Sequence, residues 1–163
     1  MSAPEPAQIP ILISVQEADF DVSAEIDALT RGRADVGAVA CFVGLVRDVT
    51  KAAEGAPVMA MTLEHYPGMT EKSLEAIARE AARRWPLLGV RIVHRVGRLA
   101  PADRIVLAAA ASAHRGAAFE AAEFLMDYLK TRAPFWKKEE TPDGARWVDA
   151  RESDEHAAAR WER

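Results

Sequence analysis

At 163 residues and 17.8 kDa the chain has the mass of one domain, which buries about two-thirds of its unfolded surface and needs no staples. Half of its residues are hydrophobic and 28% are charged, with only nine Gly and nine Pro, a balance that excludes disordered and fibrous classes. The net charge of −4 offers no general attraction to nucleic acid, no apolar run reaches the ~20 residues that span a bilayer, and a single cysteine excludes a disulfide framework and a cysteine-based structural zinc site.

Residues 1–9 are proline-rich and lack the basic and apolar stretches of a signal peptide. A flexible tail ahead of one domain over 10–163 is expected, in a cytoplasmic protein. Pro10 to Val15 is the first predicted strand. A helix follows over Ser23–Thr30, with Ser23 as N-cap and Ile26 and Leu29 inward. Gly37 to Gly44 is a continuous apolar run of strand length, expected to be buried on both faces. Asp48 to Pro57 reads as a mobile loop and Val58 to Tyr66 as the next strand.

Thr70 to Trp85 predicts a long helix, because Leu74, Ile77, Ala78, Ala81 and Trp85 form one stripe and Pro86 stops it. Val90 to Val96 alternates as a strand, the chain turns through Gly97 and Pro101, and Arg104 to Ala113 is an alanine-rich strand on which something must pack closely. A second long helix runs over Ala117–Lys130, with Phe119, Ala122, Leu125, Met126 and Leu129 as its stripe. Pro142-Asp143-Gly144 is a turn before a short strand at Arg146–Val148. Strands and helices do not alternate regularly. The expected class is α+β: a mainly antiparallel sheet carrying two long amphipathic helices.

Charge is unevenly spread. Three of the five lysines, Lys130, Lys137 and Lys138, lie within nine residues, and the stretch from His114 to Lys138 is +2 in a protein that is otherwise −6. A basic island of this kind calls for an acidic ligand or is a solvated face. Arg47 follows Gly44 at a strand end, either pairing with Asp48 or facing a ligand. His114-Arg115-Gly116 precedes the second long helix, where free N–H groups favour an anion, unless the histidine merely caps its own helix. Lys130 suits the helix C-terminus by charge alone. Beside Phe135 and Trp136, however, one lysine of Lys130, Lys137 and Lys138 has the desolvation that makes a base or nucleophile. His65 and His94 read as structural, and Cys41, within an apolar strand, as a buried inert thiol. No metal-ligand spacing, Walker loop or dinucleotide fingerprint is present.

The runs Leu63-Glu-His-Tyr-Pro-Gly-Met-Thr70, Ser112-Ala-His-Arg115 and Met126-Asp-Tyr-Leu-Lys-Thr-Arg-Ala-Pro-Phe-Trp-Lys137 resemble the catalytic (large) subunit of molybdopterin synthase, with similarity from about Ala38 to Arg163. The resemblance implies a homodimer that binds two copies of a small ubiquitin-like sulfur carrier, giving a heterotetramer, with no cofactor or metal. It implies conversion of cyclic pyranopterin monophosphate to molybdopterin, with both dithiolene sulfurs delivered as the thiocarboxylate of the carrier's Gly-Gly tail. By motif, Lys130 and Lys137 match catalytic positions. Arg47, His114, Arg115 and Arg151 match substrate-binding positions, and Lys138 stands beside them to tune the charge.

Two other classes compete. One is a nucleic-acid-binding module using Lys130, Arg132, Trp136, Lys137 and Lys138, which the acidic remainder of the chain opposes. The other is a lysine-dependent lyase forming a Schiff base. A further expectation concerns helix length: an unbroken helix separates Arg115 from Lys130 by roughly 20 Å, too far for one small substrate to touch both. A site shared across a two-fold axis resolves that distance.

Overall fold

The structure is a computed structural model that describes residues 9–47, 59–148 and 152–162. The expected mobile loop at 48–57, the tail before Ile9 and Arg151 lie outside the described residues. In chain order the elements are β1 (Ile11–Gln16), α1 (Val22–Thr30), β2 (Ala38–Leu45), β3 (Ala60–His65), α2 (Met69–Arg84), β4 (Leu87–Arg95), β5 (Gly97–Leu99), β6 (Arg104–Ser112), α3 (Arg115–Arg132), β7 (Phe135–Thr141), β8 (Gly144–Val148) and α4 (Glu152–Ala159). The class is α+β, with two four-stranded sheets rather than one. The first has the order β1-β4-β6-β2, parallel between β1 and β4 and otherwise antiparallel. The second, β5-β3-β7-β8, is antiparallel throughout.

The alanine-rich strand explains how the first sheet is covered. Ala108 to Ala111 of β6 are fully buried, and their period-2 alternation divides them between two cores. Ala108 and Ala110 join Leu74, Ile77, Phe124 and Leu125 under α2 and α3, while Ala109 and Ala111 join Leu29, Val93 and Leu107 under α1. Small side chains let helices approach both faces. The doubly buried strand is therefore β6, and the expectation for β2 is corrected: β2 is an edge strand, with Phe42 43% exposed. Its apolar run cannot by itself distinguish a central strand from an edge strand beside an apolar surface.

Three local readings also change. The N-cap of α1 is Asp21, whose carboxylate accepts the Ala24 N–H at 3.1 Å, so the helix starts before Ser23. Phe119 leaves the buried stripe of α3 and stands 67% exposed, because Ala118, Ala121, Phe124, Leu125 and Tyr128 face the core instead. Phe135 to Thr141 is a strand, not a link to the turn, because β3 and β8 supply its backbone partners on either side.

Two hydrogen bonds of Thr70 then tie the second sheet to the helices. Its buried hydroxyl accepts the Tyr66 N–H and donates to the Pro134 carbonyl at 3.1 Å, joining the start of α2 to the turn between α3 and β7. That turn carries the basic island from helix to sheet.

Candidate active site

A cavity of about 460 Å³ opens where the two sheets meet the end of α3. Its wall includes Arg47, Lys130 and Lys137, with Gly44, Leu129, Phe135 and His94. Each cation arrives by a different local device. The register of β2 shifts between Gly44 and Leu45, and the chain leaves the sheet where the Val46 N–H donates to the Asp103 carbonyl at 2.9 Å. A bulge of this kind redirects the following side chains. Arg47, two residues on, stands at the rim. A Cβ on Gly44 would lie 2.9 Å from Val106 Cγ1, so glycine permits the close approach there. Lys130 is in the last turn of α3, next to buried Leu129. Lys137 faces inward because β7 alternates: Phe135, Lys137 and Glu139 line the cavity, while Trp136 and Lys138 point to the outer face.

Lys138 accordingly lies outside the cavity, its ammonium 5.6 Å from the centre of the Trp147 ring. His114 and Arg115 are exposed at the other end of α3 and do not line it either. His114 is the N-cap residue, yet its side chain makes no capping bond. The helix between is continuous, so fifteen residues at about 1.5 Å each separate Arg115 from Lys130 by roughly 22 Å.

The same geometry dissolves the nucleic-acid platform. Lys130 and Lys137 line the cavity, Trp136 and Lys138 occupy the opposite face, and Arg132 is held 3.8 Å from the Tyr128 ring centre and 3.1 Å from Glu162. Those five side chains do not share a surface.

His94 is a cavity residue that the strand pattern hid, since it alternates with Val90 and Ile92 like any core position. Its ring stacks on Phe135 with centroids 3.8 Å apart and an 18° tilt, and its Nδ1 lies 2.8 Å from the Arg95 carbonyl. Burial lowers its pKa from 6.5 to about 4, and the charges of Lys130 and His65 add to the effect. The native ring is therefore neutral where the unfolded one titrates near 6.5, so its contribution to stability is complete above that pH and lost as pH falls toward 4. Urea unfolding of the wild type and His94→Phe checks this. The wild type's stability relative to the variant should fall across that window, and a constant difference would contradict it.

His65 is half-buried, with Nε2 3.8 Å from Glu71 Oε1. Cys41 is only partly buried, a correction to the expected interior thiol. It borders a groove of about 390 Å³ between β2 and α3, with Phe42, Phe119 and Met126. Burial raises its pKa, which keeps the thiol protonated and a poor nucleophile. Cys41→Ser should therefore fold and retain near wild-type activity, with a modest drop in melting temperature from the hydroxyl in an apolar groove. An inactive variant that is folded would make the thiol a participant.

Among the described residues no helix is long and apolar enough to cross a membrane. The family model described as MoaE protein matches residues 15–132. The molybdopterin synthase catalytic subunit of Ralstonia nicotianae is 61% identical over 149 residues, spanning 91% of this chain and 83% of that protein. The solved structure of the molybdopterin biosynthesis MoaE protein from Burkholderia ambifaria superposes with a TM-score of 0.79 at 60% identity, over 93% of this chain and 97% of the other. Molybdopterin synthase from Staphylococcus aureus gives a TM-score of 0.74 at 34% identity, over 87% and 97%. With the fold, the basic cavity and most of the chain in agreement, this protein belongs to the MoaE family, the catalytic subunits of molybdopterin synthase, and acts in molybdenum cofactor biosynthesis.

Proposed function

We propose that the cavity is where cyclic pyranopterin monophosphate receives two sulfurs from the C-terminal thiocarboxylate of a small ubiquitin-like carrier, in a cytoplasmic enzyme. The observation that carries this reading is the convergence of Arg47, Lys130 and Lys137 on one cavity from three different elements, the end of β2, the last turn of α3 and β7. A phosphate-bearing substrate requires such a concentration of positive charge, and partial enclosure strengthens each interaction. A protein whose one thiol borders a groove outside the cavity and is held protonated must obtain sulfur from elsewhere, which a thiocarboxylate partner supplies.

In this reading the carrier's thiocarboxylate sulfur attacks a carbon of the pterin side chain, a carbon–oxygen bond at that carbon breaks with its oxygen leaving as water or on the phosphate, and the carrier stays joined to the pterin as a thioester. Lys130 then serves either as base for the water that opens the thioester or as the amine that takes the acyl group, and Lys137 stabilises the oxyanion formed on the way. Arg47 binds the phosphate at the rim. His114 and Arg115 reach a second copy's cavity across a two-fold axis, and Arg151 completes the substrate set. The edge of β2, with exposed Phe42 and Phe119 beside it, supplies apolar surface suited to pairing two copies. The test is to combine the protein with a thiocarboxylated carrier and the cyclic pterin. A dithiolene product supports the reading, and consumption of neither reactant overturns it.

A further inference from the structure

We propose that Asp154 selects the pterin ring of the substrate: its carboxylate accepts the two side-by-side N–H donors of the 2-amino-4-oxopyrimidine edge, while the cations of the same cavity take the phosphate. The inference rests on the cyclic-pterin reading of the cavity. Two carboxylates, Glu139 and Asp154, stand in the cavity wall among Arg47, Lys130 and Lys137. They differ in what they meet. Glu139 is paired between β7 and β8, its Oε2 accepting from Arg146 Nη2 at 3.3 Å. Asp154 is half-buried and makes no ion pair or side-chain hydrogen bond among the described residues.

A lone carboxylate weakens a phosphate site unless the ligand itself answers it. An ionised carboxylate only accepts hydrogen bonds, so the group that meets Asp154 is a donor, and two parallel donors match its two oxygens. The cyclic pterin carries one such pair, the ring N3–H and the 2-amino group, at the end of its fused rings away from the phosphate. Phe42, Leu129 and Phe135 in the same wall supply apolar surface for those rings. Asp154 is also held in place. It lies in the first turn of α4, and that helix is anchored further on, where Ala158 is buried in the core under α2 and α3. Beyond it the Trp161 ring stands edge-on to Trp85 and Phe124, and its Nε1 donates to Asp127 Oδ2 at 2.7 Å. An acceptor fixed before the ligand arrives costs little to order on binding.

The test compares pterin with lumazine, in which a carbonyl oxygen replaces the 2-amino group, as ligands of the full-length protein. Titration calorimetry gives both dissociation constants for the wild type and for Asp154→Asn. Steady-state assays with thiocarboxylated carrier give kcat and KM for the cyclic pterin. The wild type should bind pterin about tenfold or more tightly than lumazine, the scale on which a site rejects an analogue that leaves its charged acceptor unmet. Asp154→Asn should lose that preference and raise KM roughly tenfold, with kcat close to the wild-type value, the signature of lost substrate binding. If Asp154→Asn fails to fold, Asp154→Ser carries the comparison. A folded variant that keeps the wild-type preference overturns the proposal, whatever its KM, as does a wild type that binds the two ligands equally or binds neither. A loss confined to affinity for the carrier also overturns it, because Asp154 would then meet the carrier's tail. If the wild type forms no dithiolene product, the cyclic-pterin reading fails instead, and the comparison of pterin with lumazine still decides what Asp154 recognises.

Discussion

Lys130→Ala should abolish nearly all sulfur transfer and leave the fold intact. The side chain is exposed in the last turn of α3, where its favourable interaction with the helix dipole is worth a few tenths to about 1 kcal/mol. The neighbours that hold the helix are Leu125, Tyr128 and Leu129, all buried and untouched by the change. Melting temperature and dimer mass should therefore stay close to the wild type. Loss of a positioned base or nucleophile lowers kcat by about 10²- to 10⁴-fold. Measuring single-turnover formation of the dithiolene product separates this from weakened substrate binding. A folded variant that transfers sulfur at the wild-type rate would remove Lys130 from the chemistry and shift attention to Lys137, the other lysine of the cavity.

Mixed dimers should recover activity from two inactive parents. Arg115→Ala and Lys130→Ala each damage both cavities of their own homodimer if one subunit's Arg115 serves the other's Lys130. In a dimer containing one of each, one cavity is doubly altered and the other has both native residues. Random reassortment makes half of the dimers mixed, so about one-quarter of wild-type activity should return. The continuous helix between the two residues and the absence of His114 and Arg115 from the cavity wall motivate this expectation. Co-refolding the variants and assaying the mixture over time tests it. No recovery, with mass spectrometry showing that mixed dimers formed, would place each site within one subunit.

The hydrophobic stripe of α2 was legible residue by residue, because a helix packed on a sheet repeats its core contacts every three or four positions. The stripe of α3 was legible except at Phe119. Periodicity identifies which residues are apolar, but not how wide a face the neighbouring elements cover, and here Phe119 is left exposed along the groove beside β2. For β2 the failure has the same origin. A run of apolar residues records an apolar environment, and the outer side of an edge strand beside Phe119 and Met126 is one. Strand β7 was missed because Phe135-Trp-Lys-Lys-Glu-Glu has little apolar alternation, and its partners in β3 and β8 supply the hydrogen bonds that make it a strand.

The amino-acid sequence by itself determined the class of the fold, the two long helices, and a basic island suited to an anion. These properties are local, set by side-chain type and by repeats of two or 3.6 residues. Only the tertiary structure decided which members of the island meet. Alternation along β7 turns Lys137 inward and Lys138 outward, the bulge after Gly44 brings Arg47 to the rim, and the unbroken α3 keeps Arg115 away from Lys130. It also decided that His94 borders the cavity, through a stack with a residue 41 positions later in the chain. Such long-range meetings depend on how sheets and helices pack, and no pattern within a single segment records them.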